Sequence, residues 1–140
     1  MKYLTETTKE IRAELKKLYP ECKWSVTTRH GLEINVRLMA APESPFASLD
    51  YVGPHYEQYP ASHDGTDVQL NHYYVTQDYQ GRWISNCVHL TEKAAKMFLQ
   101  VVEIAQRDNW NNSDSQTDYF DVNYYLHLAV GKWDKPFQVV

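Results

Sequence analysis

Hydrophobic and polar residues alternate along residues 119–130, near the end of the chain. A period of two is typical of a β-strand with one buried face, so this segment is predicted to be a strand. Its buried face is predicted to contain Phe120, Val122, Tyr124, Leu126, Leu128 and Val130. The polar side chains of a candidate site lie on the opposite face, and they are Asp121, Asn123, Tyr125 and His127. Such a row can hold a ligand, but any solvent-facing strand has the same pattern.

Two other segments repeat apolar residues at the spacing of an amphipathic helix. The first covers about residues 8–19 and is predicted to begin at an N-cap on Thr7 or Thr8. The second covers about residues 92–107 and follows an N-cap at Thr91. The apolar stripes consist of Ile11, Leu15 and Leu18 in the first helix and of Ala94, Ala95, Phe98, Val101, Val102 and Ala105 in the second. Each stripe is expected to pack on a sheet.

Alternating residues also predict two β-hairpins. The strands of the first hairpin are predicted at residues 22–27 and 32–38. Those of the second are predicted at residues 68–77 and 82–88, and the turn-forming residues 78–81 join them. The first hairpin follows the first helix directly, so the two are expected to pack together.

The segment between the hairpins, about residues 40–66, has no periodicity and is rich in acidic residues. Its four prolines are Pro42, Pro45, Pro54 and Pro60. This composition predicts a long excursion with a short helix near residues 45–51. The resulting element order is helix, strand, strand, long loop, strand, strand, helix, strand. That order predicts a single α+β domain, residues 1–140, in which two helices pack on one antiparallel or mixed β-sheet.

Charged residues are unevenly distributed, although the formal net charge is only −4. Residues 1–37 contain eight Lys or Arg and five Glu, whereas residues 38–81 contain six Asp or Glu and no Lys or Arg. Residues 103–121 add five Asp or Glu and one Arg. Charge asymmetry of this kind bears on partners and association rates rather than on fold.

Tyrosines are concentrated in the same base-free stretch, which holds six of the eleven in the chain. Tyrosine is favoured in protein interfaces because it supplies contact area at a low entropy cost. An acidic, tyrosine-rich surface is therefore predicted to bind a basic host or defence protein, with carboxylates in place of phosphates. The predicted partner-binding residues are Asp50, Tyr51, Tyr56, Glu57, Tyr59, Asp64, Asp67, Asp114 and Asp118. The alternative is a solvated acidic face that binds nothing.

A basic patch near the start of the chain offers an alternative function. It consists of Lys9, Arg12, Lys16 and Lys23, with Trp24 nearby. Basic side chains beside an aromatic ring suit nucleic-acid phosphates, so a nucleic-acid-binding accessory module is the first alternative. However, Glu6, Glu10 and Glu14 interleave with these residues at helical spacing, and pairing within the helix is the simpler explanation.

A small metal-dependent hydrolase that uses the loop histidines is the second alternative. Five potential ligands lie close together in the sequence, namely His55, His63, Asp64, Asp67 and His72. Neither an HExxH motif nor a Cys/His zinc pattern is present, so no metal and no cofactor is predicted. His127 and Asp121 on the final strand resemble an acid–base pair, but no nucleophile or glycine-rich anion site accompanies them. No catalytic residue is therefore assigned, and the protein is expected not to be an enzyme.

The two cysteines and the first residues of the chain indicate a compartment. Cys22 and Cys87 fall on apolar faces of predicted strands, where reduced, buried thiols are expected. No apolar run reaches the length of a membrane span, and residues 1–17 carry charges where a signal peptide would be apolar. The protein is expected in the cytoplasm, without a membrane partner.

Two blocks of the sequence resemble a known family. Residues 9–20, KEIRAELKKLYP, followed by KWSV at residues 23–26, look like the opening of a large polyvalent protein-associated domain. Residues 112–127, closing on GKWD at residues 131–134, are similar to the end of the same family. The resemblance implies a gene carried by a phage, a plasmid or other mobile DNA. It implies no catalytic residue.

This resemblance, joined to the acidic stretch, leads to an expected function. We expect a non-enzymatic accessory protein of bacterial mobile DNA that binds and inhibits a host defence or nucleic-acid-handling complex. An anti-CRISPR or anti-restriction role would fit this description. The excursion at residues 40–66 has no counterpart in the resembled family, so it is the expected source of a specific function.

Overall fold

A computed structural model of the chain describes residues 4–47, 68–79, 81–85, 88–107, 109, 124–132 and 134–140. The elements are α1 (Leu4–Leu18), β1 (Lys23–Arg29), β2 (Glu33–Ala41), β3 (Val68–Leu70), β4 (Thr76–Gln77), β5 (Trp83–Ser85), β6 (Val88–Leu90), α2 (Glu92–Gln106), β7 (Tyr125–Val130) and β8 (Gln138–Val139). Two helices and a mixed sheet are present, so the predicted α+β class is confirmed.

Five strands form the larger sheet, in which β1, β2, β7 and β3 lie side by side in that order. β1 is antiparallel to β2, β7 is parallel to β2, and β3 is antiparallel to β7. The short β8 pairs in parallel with the end of β2. β4, β5 and β6 form a second, antiparallel sheet that the sequence did not predict.

The hydrophobic core lies between the larger sheet and the two helices. The predicted alternation holds in β2 and β7, because Ile34, Val36 and Leu38 are fully buried together with Leu128 and Val130. The sheet's apolar side chains join one cluster with Ile11 and Leu15 of α1 and with most of the apolar stripe of α2. Burial of these side chains at about 25 cal/mol per Å² of apolar surface is the main source of stability.

α2 begins as predicted, after an N-cap at Thr91 whose side chain accepts a hydrogen bond from the backbone N–H of Ala94. Beyond its C-terminal end, the side chain of Asn109 bonds to both backbone groups of Tyr124, at 3.1 Å to the N–H and 2.9 Å to the carbonyl. The buried Tyr124 hydroxyl also donates to the carbonyl of Ala105. These bonds fix the start of β7 against the end of α2.

The predicted start of α1 was wrong. The helix already includes Leu4, and both Thr7 and Thr8 are buried within it instead of capping it. Thr8 satisfies its hydroxyl locally, because Oγ1 donates to the Thr5 carbonyl at 2.8 Å. A threonine whose hydroxyl bonds back to its own helix can face the core, which is why the polar pair was mistaken for a helix boundary.

The second predicted hairpin is only partly present. The turn at residues 78–81 does connect β4 to β5, but the long strand predicted at residues 68–77 is broken into β3 and β4. The break occurs at Asn71, where the chain turns and leaves the larger sheet for the smaller one. Ser85, which is fully buried, holds this corner by accepting from the Asn71 N–H at 2.9 Å and donating to the Asn71 carbonyl at 3.0 Å.

The helix predicted near residues 45–51 is not formed in the three of these residues that the structure describes, Pro45 to Ala47. Phe46 instead makes an antiparallel bridge with Leu90, which extends the smaller sheet at its edge. The rest of that segment, most of the excursion and the strand residues 119–123 lie outside the described residues. In the described ranges, no helix is both long and apolar enough to cross a membrane.

Replacement of Ser85 by alanine should destabilise the protein. The change removes the buried hydroxyl that bonds both backbone groups of Asn71; the carbonyl keeps its bond from the Tyr74 N–H, but the N–H loses its partner, and an unsatisfied buried group costs about 1–3 kcal/mol. Chemical denaturation followed by circular dichroism should show the loss. Ser25→Ala, at a half-buried serine whose side chain makes no hydrogen bond with a described residue, is the matched control. Equal stability of Ser85→Ala and wild type would contradict this account of the corner.

Candidate functional site

Among the described residues, one face of the larger sheet is largely polar. Because side chains alternate across a strand, the residues between the core positions of β1, β2 and β7 share this face. Strand register arranges them in cross-strand rows. The rows are Arg29–Glu33–Tyr125, Thr27–Asn35–His127 and Ser25–Arg37–Ala129, and we call this surface the polar face.

A cleft of about 530 Å³ lies at one end of the polar face, where β7 meets the corner after β3. We call it the histidine cleft, and it is lined by Glu33, Leu70, Asn71, His72, Tyr73, Tyr125, Leu126 and His127. Nε2 of His127 lies 3.6 Å from Oε1 of Glu33. The ring of His72 stacks at a tilt on that of Tyr73, with the centroids 4.0 Å apart. Two imidazoles, one carboxylate and two phenols therefore face one opening.

The surroundings of His72 lower its pKa and so favour the neutral imidazole. Burial is the main cause of a lowered pKa at His72, and the nearby His127 lowers it further. Its Nε2 is buried and has no hydrogen-bond partner among the described residues. A neutral imidazole with an unused nitrogen can accept or donate one hydrogen bond to a polar ligand.

The described residues of the histidine cleft are not arranged as a metal site. In the part of the chain that the structure describes, no group of three or more His, Cys, Asp or Glu residues is arranged to hold a metal ion. His72 is the one described member of the five potential ligands singled out in the sequence; His55, His63, Asp64 and Asp67 lie outside the described residues.

Two of the four residues predicted for the polar face of the last strand can be compared with the structure, and both line this cleft. Tyr125 and His127 do lie on the exposed face of β7, as the alternation indicated. Asp121 and Asn123, the other two predicted members, lie outside the described residues. His72 was missed as their neighbour, because its position depends on the antiparallel pairing of β3 with β7. No sequence pattern within residues 68–72 predicts the pairing of β3 with β7.

Three further tyrosines stand out on the surface around the smaller sheet. The exposed fraction is 84% for Tyr73, 59% for Tyr74 and 90% for Tyr79, and we call these three the tyrosine surface. All belong to the tyrosine-rich stretch noted in the sequence. None of the nine predicted partner-binding residues can be compared with the structure, since all lie outside the described residues. They are Asp50, Tyr51, Tyr56, Glu57, Tyr59, Asp64, Asp67, Asp114 and Asp118.

The basic patch predicted near the N-terminus is divided by the fold. Arg12 and Lys23 line a groove of about 260 Å³ beside the edge strand β1, while Lys9 and Lys16 do not. The groove gains two basic residues that the sequence did not associate with it, Lys132 and Lys135. We call this feature the basic groove.

A third depression, of about 280 Å³, lies between the start of β1 and α2 and is lined by Cys22, Leu38 and Met97 among others. Cys22 is a free, half-buried thiol. Burial raises its pKa, the charge of Glu21 adds to the effect, and Lys93 opposes it. A raised pKa leaves little thiolate, so Cys22 is a poor nucleophile. Cys87 lies outside the described residues.

Comparison with known proteins gave one match. A family model described as large polyvalent protein associated domain 29 matches residues 3–98, which is more than half of the chain. A search of curated proteins found no match, and neither did a search of solved structures. The matched segment includes α1, the first six strands and His72, and it ends before β7.

The titration of His72 tests the geometry of the cleft. NMR should give a pKa below the ordinary value of 6.5, and His127→Gln should raise it because a neighbouring positive charge is removed. His89→Gln is the control, since His89 does not contribute to the shift at His72. A pKa at His72 that is the same with and without His127 would contradict the proximity of the two rings.

The same shift makes stability depend on pH. As the pH falls below 6.5, the unfolded chain binds a proton at His72 before the folded chain does, so the free energy of unfolding decreases through that window. His72→Gln should remove this part of the dependence. Denaturant titrations at pH values on both sides of 6.5 measure it.

Proposed function

Because the chain belongs to the large polyvalent protein associated domain 29 family, we propose that it is a non-enzymatic accessory protein of a phage or plasmid that inhibits a host defence or nucleic-acid-handling complex. The family is one of mobile-element-associated domains. The proposed inhibition acts by direct binding to a basic protein partner in the bacterial cytoplasm. Anti-CRISPR or anti-restriction activity is the specific form of this proposal.

The observation that carries the proposal is the tyrosine surface. Isolated exposed aromatic residues are common, but here Tyr73, Tyr74 and Tyr79 occur within seven residues and all are more than half exposed. Tyrosine contributes strongly to binding hot spots because its large ring loses little side-chain entropy on contact. Three such residues beside one small sheet provide contact area for a partner.

These tyrosines are presented on ordered backbone. The Tyr73 N–H donates to the side chain of Asn71 at 3.0 Å, and the Tyr74 N–H donates to the Asn71 carbonyl at 3.0 Å. The turn that carries Tyr79 is closed by Asp78, whose N–H donates to the Arg82 carbonyl at 2.8 Å and whose carboxylate accepts from Arg82 Nε at 2.9 Å. Binding therefore requires little additional ordering of the backbone, which favours affinity.

Charge supports a basic partner. The base-free stretch of residues 38–81 contains the tyrosine surface together with six carboxylates. Carboxylates on one protein can occupy the Lys and Arg positions that otherwise hold phosphates on another, and long-range attraction speeds the encounter. A partner that handles nucleic acid offers such a groove, and an inhibitor bound there would exclude the nucleic acid.

A challenge assay tests the proposal. Bacteria that carry a defined CRISPR or restriction system should plate a targeted phage more efficiently when this protein is expressed. A tagged copy should retain a protein of that system from a nuclease-treated lysate. Tyr73→Ser combined with Tyr79→Ser should weaken that binding by at least about thirtyfold, the effect of losing a single hot-spot residue that contributes about 2 kcal/mol.

Leu32→Ser is the matched control, because Leu32 is 61% exposed but lies in the turn between β1 and β2. A second variant neutralises the acidic stretch with Asp50→Asn, Glu57→Gln, Asp64→Asn and Asp67→Asn. Partner binding that survives both the tyrosine and the acidic substitutions would contradict the proposed surface. Unchanged plating in every defended strain would contradict the inhibitory function itself.

A further inference from the structure

The basic groove brings together four cations from three separate parts of the chain. Arg12 comes from α1, Lys23 from the start of β1, and Lys132 and Lys135 from the turn after β7. No carboxylate is among the described residues that line it. None of the three lysines forms an ion pair with a described residue. Concentrated positive charge of this kind attracts phosphate groups.

Hydrogen bonds to the backbone hold the Arg12 side chain and the turn that carries Lys132 and Lys135. Nη2 of Arg12 donates to the carbonyl of Val26 on β1. Lys132 and Lys135 form a closed turn, in which each backbone N–H donates to the carbonyl of the other at 2.9 Å and 3.1 Å. The preceding Gly131 adopts a φ of 74°, a left-handed conformation suited to glycine, and its N–H donates to the Leu38 carbonyl at 2.9 Å. The lysine turn is therefore tied to β2 and cannot easily move away from the groove.

The groove continues onto the polar face. Met39 lines the groove, and Glu33, the residue beside Tyr125, lies six positions earlier on the same strand, about 20 Å away. The rows between them carry hydrogen-bonding side chains, with Asn35 next to His127 and Ser25 next to Arg37. Tyr125 is 50% exposed and lies at the far end of this path. Met39 and Ala129 on this face are buried, so a strand would follow the exposed side chains of Thr27 and His127 to reach the ring. A cationic groove that leads to a half-exposed aromatic ring is the arrangement that single-stranded nucleic acids use.

We propose that the basic groove binds the phosphate backbone of a single-stranded nucleic acid and that the strand runs along the polar face so that a base stacks on Tyr125. Duplex DNA fits less well, since its bases are already stacked and cannot reach the ring. An acidic peptide could use the four cations but has no need for the ring. The proposal does not depend on the tyrosine surface, whose residues are different.

Binding should be measured by fluorescence anisotropy with a short labelled oligothymidylate over a range of salt concentrations. Four phosphate contacts on a single strand predict a slope of about −2.8 in a plot of log binding constant against log salt, because each contact contributes about −0.7. Lys132→Ala combined with Lys135→Ala should weaken binding at every salt concentration and reduce the slope to about −1.4. Lys9→Ala combined with Lys16→Ala removes the same charge from outside the groove and should have the smaller effect on affinity and slope.

Tyr125 gives a separate readout. Tyr125→Ala should weaken oligothymidylate binding by about five- to hundredfold, the effect of losing one stacked base, without changing the slope. Tyr125→Phe keeps the ring and should bind like wild type. Inorganic polyphosphate, which has charge but no bases, should be insensitive to Tyr125→Ala.

Three outcomes would overturn the inference. The first is no binding of oligothymidylate by wild type at low salt. The second is a larger loss from the Lys9 and Lys16 substitutions than from Lys132 and Lys135, which would place the contact on α1. The third is oligothymidylate binding that Tyr125→Ala does not weaken, which would reduce the groove to a general polyanion site. None of these outcomes bears on the phage-challenge assay, which tests the tyrosine surface.

Discussion

The parallel pairing of β2 with β7 is the constraint on which the rest of this fold depends. It joins residues that are more than ninety positions apart, from Glu33 beside Tyr125 to Leu38 beside Val130. Backbone bonds at both ends limit the register, since the Tyr125 N–H donates to the Leu32 carbonyl and the Gly131 N–H to the Leu38 carbonyl. Closing so large a loop is entropically costly, and the buried apolar faces of both strands offset that cost.

Each functional surface on the larger sheet follows from this one pairing. The register places His127 diagonally across from Glu33 and sets Tyr125 at the end of the polar face. After β7 the chain continues through Gly131, which places the lysine turn beside Arg12 and Lys23 at the β1 edge of the sheet. β3 pairs with the other edge of β7, and this pairing brings the residues after β3 to the histidine cleft. A shift of one residue would turn the polar side chains into the core and the apolar ones outward.

The sequence predicted what is decided locally. Three correct predictions depend only on residues that are close together in the sequence. They are the apolar stripe of α2, its N-cap at Thr91, and the alternation that places Tyr125 and His127 on the exposed side of β7. What it did not predict depends on distant residues. Asn71 breaks a continuous strand pattern because Ser85 holds it in a corner, and Thr7 and Thr8 face the core because α1 continues past them. The convergence of Lys132 and Lys135 with Arg12 and Lys23 likewise needs the sheet order, which no single segment encodes.

The central strand β7 lies beyond the segment that the family model matches, which ends at residue 98 within α2. A gene fragment that ended there would leave one edge of β2 and the whole of β3 without hydrogen-bond partners. Exposed apolar strand edges of that kind pair with other chains and aggregate. The unit that folds therefore includes β7 and is larger than the segment that the family model matches.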